Sequence, residues 1–249
     1  MAIFSDGLTS TIEHLAAYDT NIFDLAAAEN ISVPQKLALA EQQIGLQLQR
    51  FLRPRSNEDQ QFTLDHVVVS DAILHWHRVL TLLLIYRDAV QRNGTPRYNP
   101  GLQRWIADER AARELAFDLG IGVVYNPLPR PPAPQYVLIP GGATSAGAYF
   151  LAITWTRSGV ESAPSVSVEV SLDSGQLLRV LPPPTPADIT SWSVYAGYNP
   201  YELQRQNLAP LTPGESWTQD TAGFRPGPAA PNGQKPDLVL TRRRRQVRL

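Results

Sequence analysis

Two rhythms divide the chain. Up to about residue 125 the apolar positions recur at threes and fours, the spacing that gathers them on one stripe of an α-helix. From about residue 136 they alternate with small or polar residues, as in strands with one covered face. The rhythm turns over at NPLPRPPAPQ, residues 126–135, where five prolines in ten positions remove donors and favour a stiff, extended path. The pattern predicts an α+β chain with segregated parts: an all-α helical bundle over 1–125, a proline-rich linker over 126–135, an antiparallel β-sandwich over 136–240 and an arginine-rich tail over 241–249.

In the first part, Ser10 and Glu13 have capping-box spacing and open a short helix through IEHLAAY. A second brief piece, NIFDLAAAEN, ends at Asn30. Ser32, Val33 and Pro34 start a stronger helix, since proline at the first helical position forfeits no hydrogen bond. It carries Leu37, Ala40, Ile44, Leu48 and Phe51 on one face, and Pro54 stops it. Thr63 or Ser70 opens the longest helix, which runs through Ala72, Leu74, Trp76, Val79, Leu80, Leu83, Leu84 and Tyr86 to Gly94. Its middle is apolar nearly all round, so it is expected at the centre. Asn99 caps the last helix, with Pro100 first and Leu102, Trp105, Ile106, Leu115 and Phe117 as its apolar face up to Gly120. The run ADERAARE is expected on its exposed side, with Glu109 and Arg113 as a supporting pair.

In the second part, AYFLAITWT puts Tyr149, Leu151, Ile153 and Trp155 on one face of a half-buried strand. A turn at Arg157-Ser158-Gly159 leads to SVSVEV, with Val166, Val168 and Val170 on one side. Asp173-Ser174-Gly175 turns the chain into QLLRV, and after LPPPTP comes SWSVYAG, in which Trp192, Val194 and Ala196 alternate with Ser193, Tyr195 and Gly197.

Composition narrows the chemistry. The chain has 249 residues, 43% of them hydrophobic, enough for substantial cores, while the charged fraction of 18% lies below the roughly 25% usual for soluble domains and points to surface covered by partners. With no cysteine there is no disulfide, thiolate ligand or thiol nucleophile. MAIFSDGLTS lacks the basic start and apolar run of a secretory signal, so a chain made in the cytoplasm is expected. The greasiest stretch, VLTLLLIYRDAV, is broken by Arg87 and is too short to span a bilayer.

Candidate sites for catalysis or metal binding are thin. His75 and His77 flank Trp76 on a helix, where two residues of separation turn them roughly 200° apart and prevent joint chelation. Asp71 and His75 share a face, and His14 and His66 have no carboxylate cluster beside them. GGATSAG, residues 141–147, precedes a strand and offers no helix N-terminus to a phosphate. Ser145 and Ser158 have no histidine near them in sequence, and the acid pairs Glu58-Asp59 and Asp108-Glu109 fall in charged surface stretches. No catalytic, cofactor-binding or metal site is expected, and the chain is read as a non-enzyme. The aromatic run WSVYAGYNPYEL admits two accounts: core plus a turn for Trp192, Tyr195, Tyr198 and Tyr201, or an exposed ledge of Tyr198 and Tyr201 for a glycan or another subunit.

The segments GAYFLAITWTRSGVESAPS and SWSVYAG resemble a fibronectin type III or immunoglobulin-like module, in which a W-x-V-Y segment forms a core strand. FDLAAAENISVPQKLALAEQQIGLQLQRFL and FDLGIGVVYNPLP resemble head–tail connector (adaptor) proteins of tailed bacteriophages. That resemblance implies a helical bundle repeated as a ring beneath the portal, with an extended C-terminal arm docking on the neighbouring ring. It implies a virion location, with the chain itself, portal protein and tail or neck proteins as partners, and no membrane. The chain departs from the pattern by carrying the extra β module.

The tail TRRRRQVRL holds Arg242, Arg243, Arg244, Arg245, Val247, Arg248 and Leu249. Without its five arginines the 22 basic residues fall to 17 against 23 acidic ones, so a net charge of −1 hides a body at −6 and a tip at +5. Three accounts stand: a solvated tail, docking on an acidic protein surface with Val247 and Leu249 as apolar anchors, or contact with DNA phosphates. PDLVLTR, just before it, could add a strand to a partner's sheet edge.

Overall fold

In a computed structural model, which describes residues 1–7, 10–55, 61–93, 96–142 and 145–242, the chain forms two compact units. One comprises Phe4–Tyr125 and the chain from Pro236 onward; the other comprises Met1–Ile3 and Asn126–Lys235. The first unit holds helices α1 (Ile12–Ala16), α2 (Ile22–Ala28), α3 (Val33–Leu52), α4 (Asp71–Asn93) and α5 (Asn99–Leu119). The strands are β1 (Ile121–Val123), β2 (Tyr136–Pro140), β3 (Gly147–Arg157), β4 (Val160–Glu161), β5 (Val168–Leu172), β6 (Gln176–Val180), β7 (Ser191–Gly197), β8 (Gln204–Arg205), β9 (Trp217–Thr218) and β10 (Leu238–Leu240).

As expected, α4 is the centre of the helical unit. Ile73, Trp76, Val79, Leu80, Leu82, Leu83, Leu84, Ile85 and Ala89 are all buried, and α1, α2, α3 and α5 pack against it. Burying each of the larger of these side chains is worth roughly 1.5–3 kcal/mol, which outweighs the weak propensities of the short helices around them. Both candidate starts are used. The Ser70 carbonyl accepts from Leu74 N–H at 3.0 Å to begin α4, whereas Thr63 caps the single 3-10 turn Leu64–His66 through a 3.2 Å bond from its N–H to His66 Nδ1. The predicted glycine stop, Gly94, lies outside the described residues. At α1 the capping box falls one residue later than Ser10 and Glu13: Thr11 N–H donates to His14 Nδ1 at 3.0 Å, the imidazole taking the acceptor role of a glutamate. At α2, Asn30 adopts φ 50, and bonds from Asn30 N–H to Ala27 and from Ile31 N–H to Ala26 close the helix.

Helix α5 departs from its predicted face. Ile106 and Leu115 are 45% and 47% exposed, while Trp105, Glu109, Ala112, Ala116 and Phe117 are buried. The buried stripe follows Trp105, Glu109, Ala112 and Ala116 at threes and fours, which brings Glu109 beside the Trp76 indole N–H. That N–H donates to Glu109 Oε1 at 2.9 Å, holding in the core a carboxylate that the charged run would leave in solvent. Arg113 Nε stands 3.9 Å from the same oxygen.

The end of the chain also lies elsewhere than expected. Residues 236–240, predicted with the strands of the second part, return to the helical unit, where β10 pairs antiparallel with β1 in the register Ile121↔Leu240 and Val123↔Leu238. Val68 N–H donates to Gly122 on the other edge of β1 at 2.9 Å, extending the ladder. Asp237 fastens the join: its N–H donates to Val123 at 2.9 Å, and its carboxylate accepts from Tyr125 N–H at 2.8 Å. Gly120, the C-cap of α5 at φ 96, is required here, because a Cβ on it would lie 2.5 Å from Val239. The chain between Tyr125 and Pro236 is therefore an insertion into the helical unit.

Within the inserted unit all pairing is antiparallel. One sheet has the order β2-β6-β9; the other has β4-β3-β7-β8, with β5 also on β3. Tyr149, Leu151, Ile153 and Trp155 of β3 share one buried cluster with Leu178 and Val180 of β6, Trp192 and Val194 of β7 and Trp217 of β9. Val166, expected on the inner side, precedes β5 and is 62% exposed. Nor is β3 half-buried: Ala152 and Thr154 on its other face are also covered, as are Ser193 and Tyr195 of β7. Irregular segments complete the ladders with side chains. Ser162 and Ser165, on either side of Pro164, accept from the N–H groups of Trp155 and Ile153 at 3.0 and 3.1 Å. Asn207 and Gln219 serve Val194 and Leu178 in the same way. The proline run 126–135 belongs to this unit: Leu128 is buried, and its N–H donates to Gln234 Oε1 at 2.6 Å.

Replacing residues 126–235 by a short Gly-Ser link between Tyr125 and Pro236 is expected to leave a helical protein with one cooperative thermal transition, followed by circular dichroism. A product without that transition would contradict the insertion.

Candidate functional site

The strongest concentration of chemistry among the described residues lies where α3 ends. Leu48, Phe51 and Leu52 hold the last turn of α3 in the core, and Pro54 forces the chain into the 3-10 turn Arg53–Arg55. A helix C-terminus leaves carbonyls without intrahelical partners and carries the negative end of the dipole, so cations are stabilising there. Arg55 fills that role, its Nη1 donating to the Phe51 carbonyl at 2.7 Å while the guanidinium lies 3.7 Å from the Phe51 ring centroid. The same guanidinium reaches the other end of the chain: Nη2 donates to the Thr241 carbonyl at 3.3 Å.

Arg242 is held next to this tie. Its guanidinium lies 4.7 Å from the centroid of Phe117, whose ring is in turn 4.9 Å from that of Phe51. Two adjoining phenyl rings, both buried, thus carry one arginine each. Arg50 and Arg53 are exposed and line, with Leu46, Gln49 and Pro54, an open concavity of about 630 Å³. Among the described residues none of Arg50, Arg53 and Arg242 takes part in an ion pair. Of the partner residues expected from sequence, the structure places Arg242; Arg243, Arg244, Arg245, Val247, Arg248 and Leu249 lie outside the described residues.

The aromatic run after β7 divides in two. Trp192 and Tyr195 are buried, whereas Tyr198 and Tyr201 are 76% and 66% exposed. Tyr198 rests against Tyr149 at a centroid distance of 5.1 Å, and Asn199 Oδ1 accepts from Tyr201 N–H at 3.0 Å, fixing the turn that presents both rings.

The remaining candidates are absorbed into structure. His75 shares a 2.9 Å hydrogen bond with the Tyr18 hydroxyl, and His77 Nε2–H donates to the Leu37 carbonyl at 3.0 Å. No group of three or more histidines and carboxylates among the described residues could hold a metal ion. Asp108 pairs with Arg104 at 3.5 Å and Glu109 with Trp76, while Glu58 and Asp59 lie outside the described residues. Gly141 and Gly142 take positive φ on the way to β3, Ser158 sits at φ 49 in the turn before β4, and Ala143 and Thr144 are not described. No helix among the described residues is long and apolar enough to cross a membrane.

Sequence reasoning passed over one polar cluster. Glu161 accepts from Thr154 Oγ1 at 2.5 Å, from the Tyr195 hydroxyl at 2.7 Å and from Arg205 Nη2 at 2.8 Å. Burial, reinforced by the Glu161 carboxylate, holds the Tyr195 phenol well above the usual range. The Glu161 and Arg205 charges are paired at 2.8 Å and the neutral Tyr195 hydroxyl bonds to both, so the cluster fastens the outer face of the five-stranded sheet. No short-range signal joins residues 161 and 205.

Comparison of the chain with protein-family models, with curated proteins and with solved structures gives no match.

Burial, with the neighbouring Arg78 charge, holds the imidazoles of His77 and His14 below their usual range. Both therefore favour the neutral form when folded, and the unfolded chain binds protons more readily below about pH 6.5. Stability is expected to be full above that pH and to fall as the pH is lowered through it, read as a declining urea midpoint between pH 7.5 and 5.5. A flat or rising midpoint would contradict the burial of these rings.

Proposed function

We propose that the chain is a structural subunit of a tailed-phage particle, a connector (adaptor)-type protein that joins neighbouring components by fitting against copies of itself and against portal, neck or tail proteins. The observation that carries this reading is the clamp on the C-terminal segment. Strand β10, the Arg55–Thr241 bond and the seat of Arg242 on Phe117 fix the starting point of the basic tail, as a docking arm requires. Exposed Leu46, Leu115 and Leu119 supply apolar surface on the same unit for packing between copies, and ring symmetry would multiply such weak contacts. The inserted unit fits an immunoglobulin- or fibronectin-like sandwich displayed by the subunit; the core shared by its two antiparallel sheets supports that fold. Virion location and non-enzymatic action belong to the same proposal.

The experiment is light scattering and negative-stain microscopy of the purified chain, with mass spectrometry of particles. Rings, and the chain in the particle, are expected. A strict monomer at high concentration, together with particles lacking the chain, would overturn the reading.

A second reading rests on the exposure of Tyr198 and Tyr201: the inserted unit binds glycans or a surface, and the helices serve to oligomerise it. It expects glycan-array binding that is lost when both tyrosines become alanine. An array without binding would remove it.

A further inference from the structure

Helix α3 shows solvent a stripe that its own core does not use. Gln35, Leu39, Gln42, Leu46, Gln49 and Arg53 are all exposed and recur at fours and threes, the 3.5-residue period of a seam between helices. A helix face turned only to water is usually charged, yet five of these six positions are uncharged. Leu46 stands in the middle, 67% exposed, between two open hollows. One, of about 710 Å³, is walled by Phe4, Glu41, Gly45, Leu64 and Asp65; the other is the concavity beside Arg50 and Arg53, and Leu46 and Gln49 line both. The stripe is therefore acidic on one side of Leu46 and basic on the other. None of Glu41, Asp65, Arg50 and Arg53 takes part in an ion pair among the described residues.

We infer that this stripe is a docking surface for a second copy of the chain, the two α3 helices lying antiparallel about a two-fold axis beside Leu46. The order of the charges selects that partner and that direction. With the axis at Leu46 and a rise of 1.5 Å per residue, Arg50 and Arg53 lie about 6 and 10.5 Å along one helix, and Glu41 of the second copy lies about 7.5 Å along the other on the same side. Each carboxylate thus falls at the level of two guanidinium groups, and the two-fold repeats the contact. A parallel pair would set like charges together. Because a two-fold contact uses the same patch on both copies, a stripe with one acidic and one basic half complements itself. The leucines exclude water at the middle, while Gln42 and Gln49 lower the stability of the seam and help to fix its register. From Gln35 to Arg53 the stripe is about 27 Å long. Such a strip covers less than the roughly 800 Å² per copy of a tight complex, so dissociation in the micromolar range is expected. A ring contact runs head to tail and joins unlike patches, so this pairing goes beyond the assembly reading, and a chain that forms no ring would still make it.

The chain has no cysteine, so single cysteines placed in the full-length protein report the geometry. Under mild oxidation Leu46→Cys is expected to give a disulfide-linked dimer, because the axis brings that position against itself. Gln35→Cys is expected to stay uncrosslinked, since it lies about 33 Å from its equivalent across the axis, far beyond the reach of a disulfide. Sedimentation velocity reads the charges. Glu41→Arg alone, and Arg50→Glu with Arg53→Glu, should each weaken self-association by about tenfold or more, because each sets like charges together. An equimolar mixture of these two variants should recover the dimer, since every charge contact in the mixed pair is of opposite sign. Crosslinking of Gln35→Cys as fast as of Leu46→Cys would overturn the antiparallel pairing. So would a chain that sediments as a monomer up to about 200 µM, well above a micromolar dissociation constant, or a mixture of the two folded variants no more associated than either alone. A ring that assembles without the Leu46→Cys crosslink would leave the assembly reading standing and overturn this one.

Discussion

The pairing of Leu238–Leu240 with Ile121–Val123 is the constraint on which the organisation of the chain depends. Three residues of strand form a weak unit by themselves, since a net backbone hydrogen bond contributes only about 0.5–1.5 kcal/mol and isolated two-stranded ribbons are marginal. Here the ribbon is supported on both sides of the pairing. Val68 extends it beyond β1, Asp237 ties its first residue to Val123 and Tyr125, and Leu240 packs against the helical core. The small strand therefore draws its stability from a core it did not build. It makes the second half of the chain an insertion and sets the point at which the basic tail begins.

That starting point gives the charge segregation a physical meaning. A tail of arginines on a loose terminus would spread its charge over a wide volume, but Arg242 begins it from the ring of Phe117, beside a helix end that already holds Arg50, Arg53 and Arg55. Aromatic rings accept guanidinium groups without neutralising them, at about 0.5–1 kcal/mol each where solvent reaches them. Phe51 and Phe117 thus position positive charge at this end of the helical unit. The inserted unit follows a different logic. Its irregular stretches are rich in proline and cannot form continuous ladders, so Ser162, Ser165, Asn207, Gln219 and Gln234 supply the missing acceptors.

Much of the fold is readable from local pattern because the physics that sets it is local. Pro34 and Pro54 bracket α3, and the apolar run from Val79 to Ile85, interrupted by Thr81 alone, marks the helix that must be central. Tyr149 to Trp155 alternate as a strand does, and the helical and antiparallel β regions fall on either side of the proline run. What pattern could not show depends on partners far along the chain. Glu109 looks solvated in ADERAARE until Trp76 claims it from 33 residues away. LVL reads equally well as a strand of either unit, and only its pairing with residues 121–123 decides between them. The candidate site was half legible: the arginine tail stands out in composition, whereas Arg50, Arg53 and Arg55 look like ordinary helix-end cations until Arg55 meets Thr241.

Hydrogen exchange of the intact chain, followed peptide by peptide, tests the clamp most directly. The account predicts that the segment 236–242 exchanges slowly, in step with 121–125 and far behind a free peptide of the same sequence. Exchange of that segment at the free-peptide rate, with α4 still protected, would contradict it.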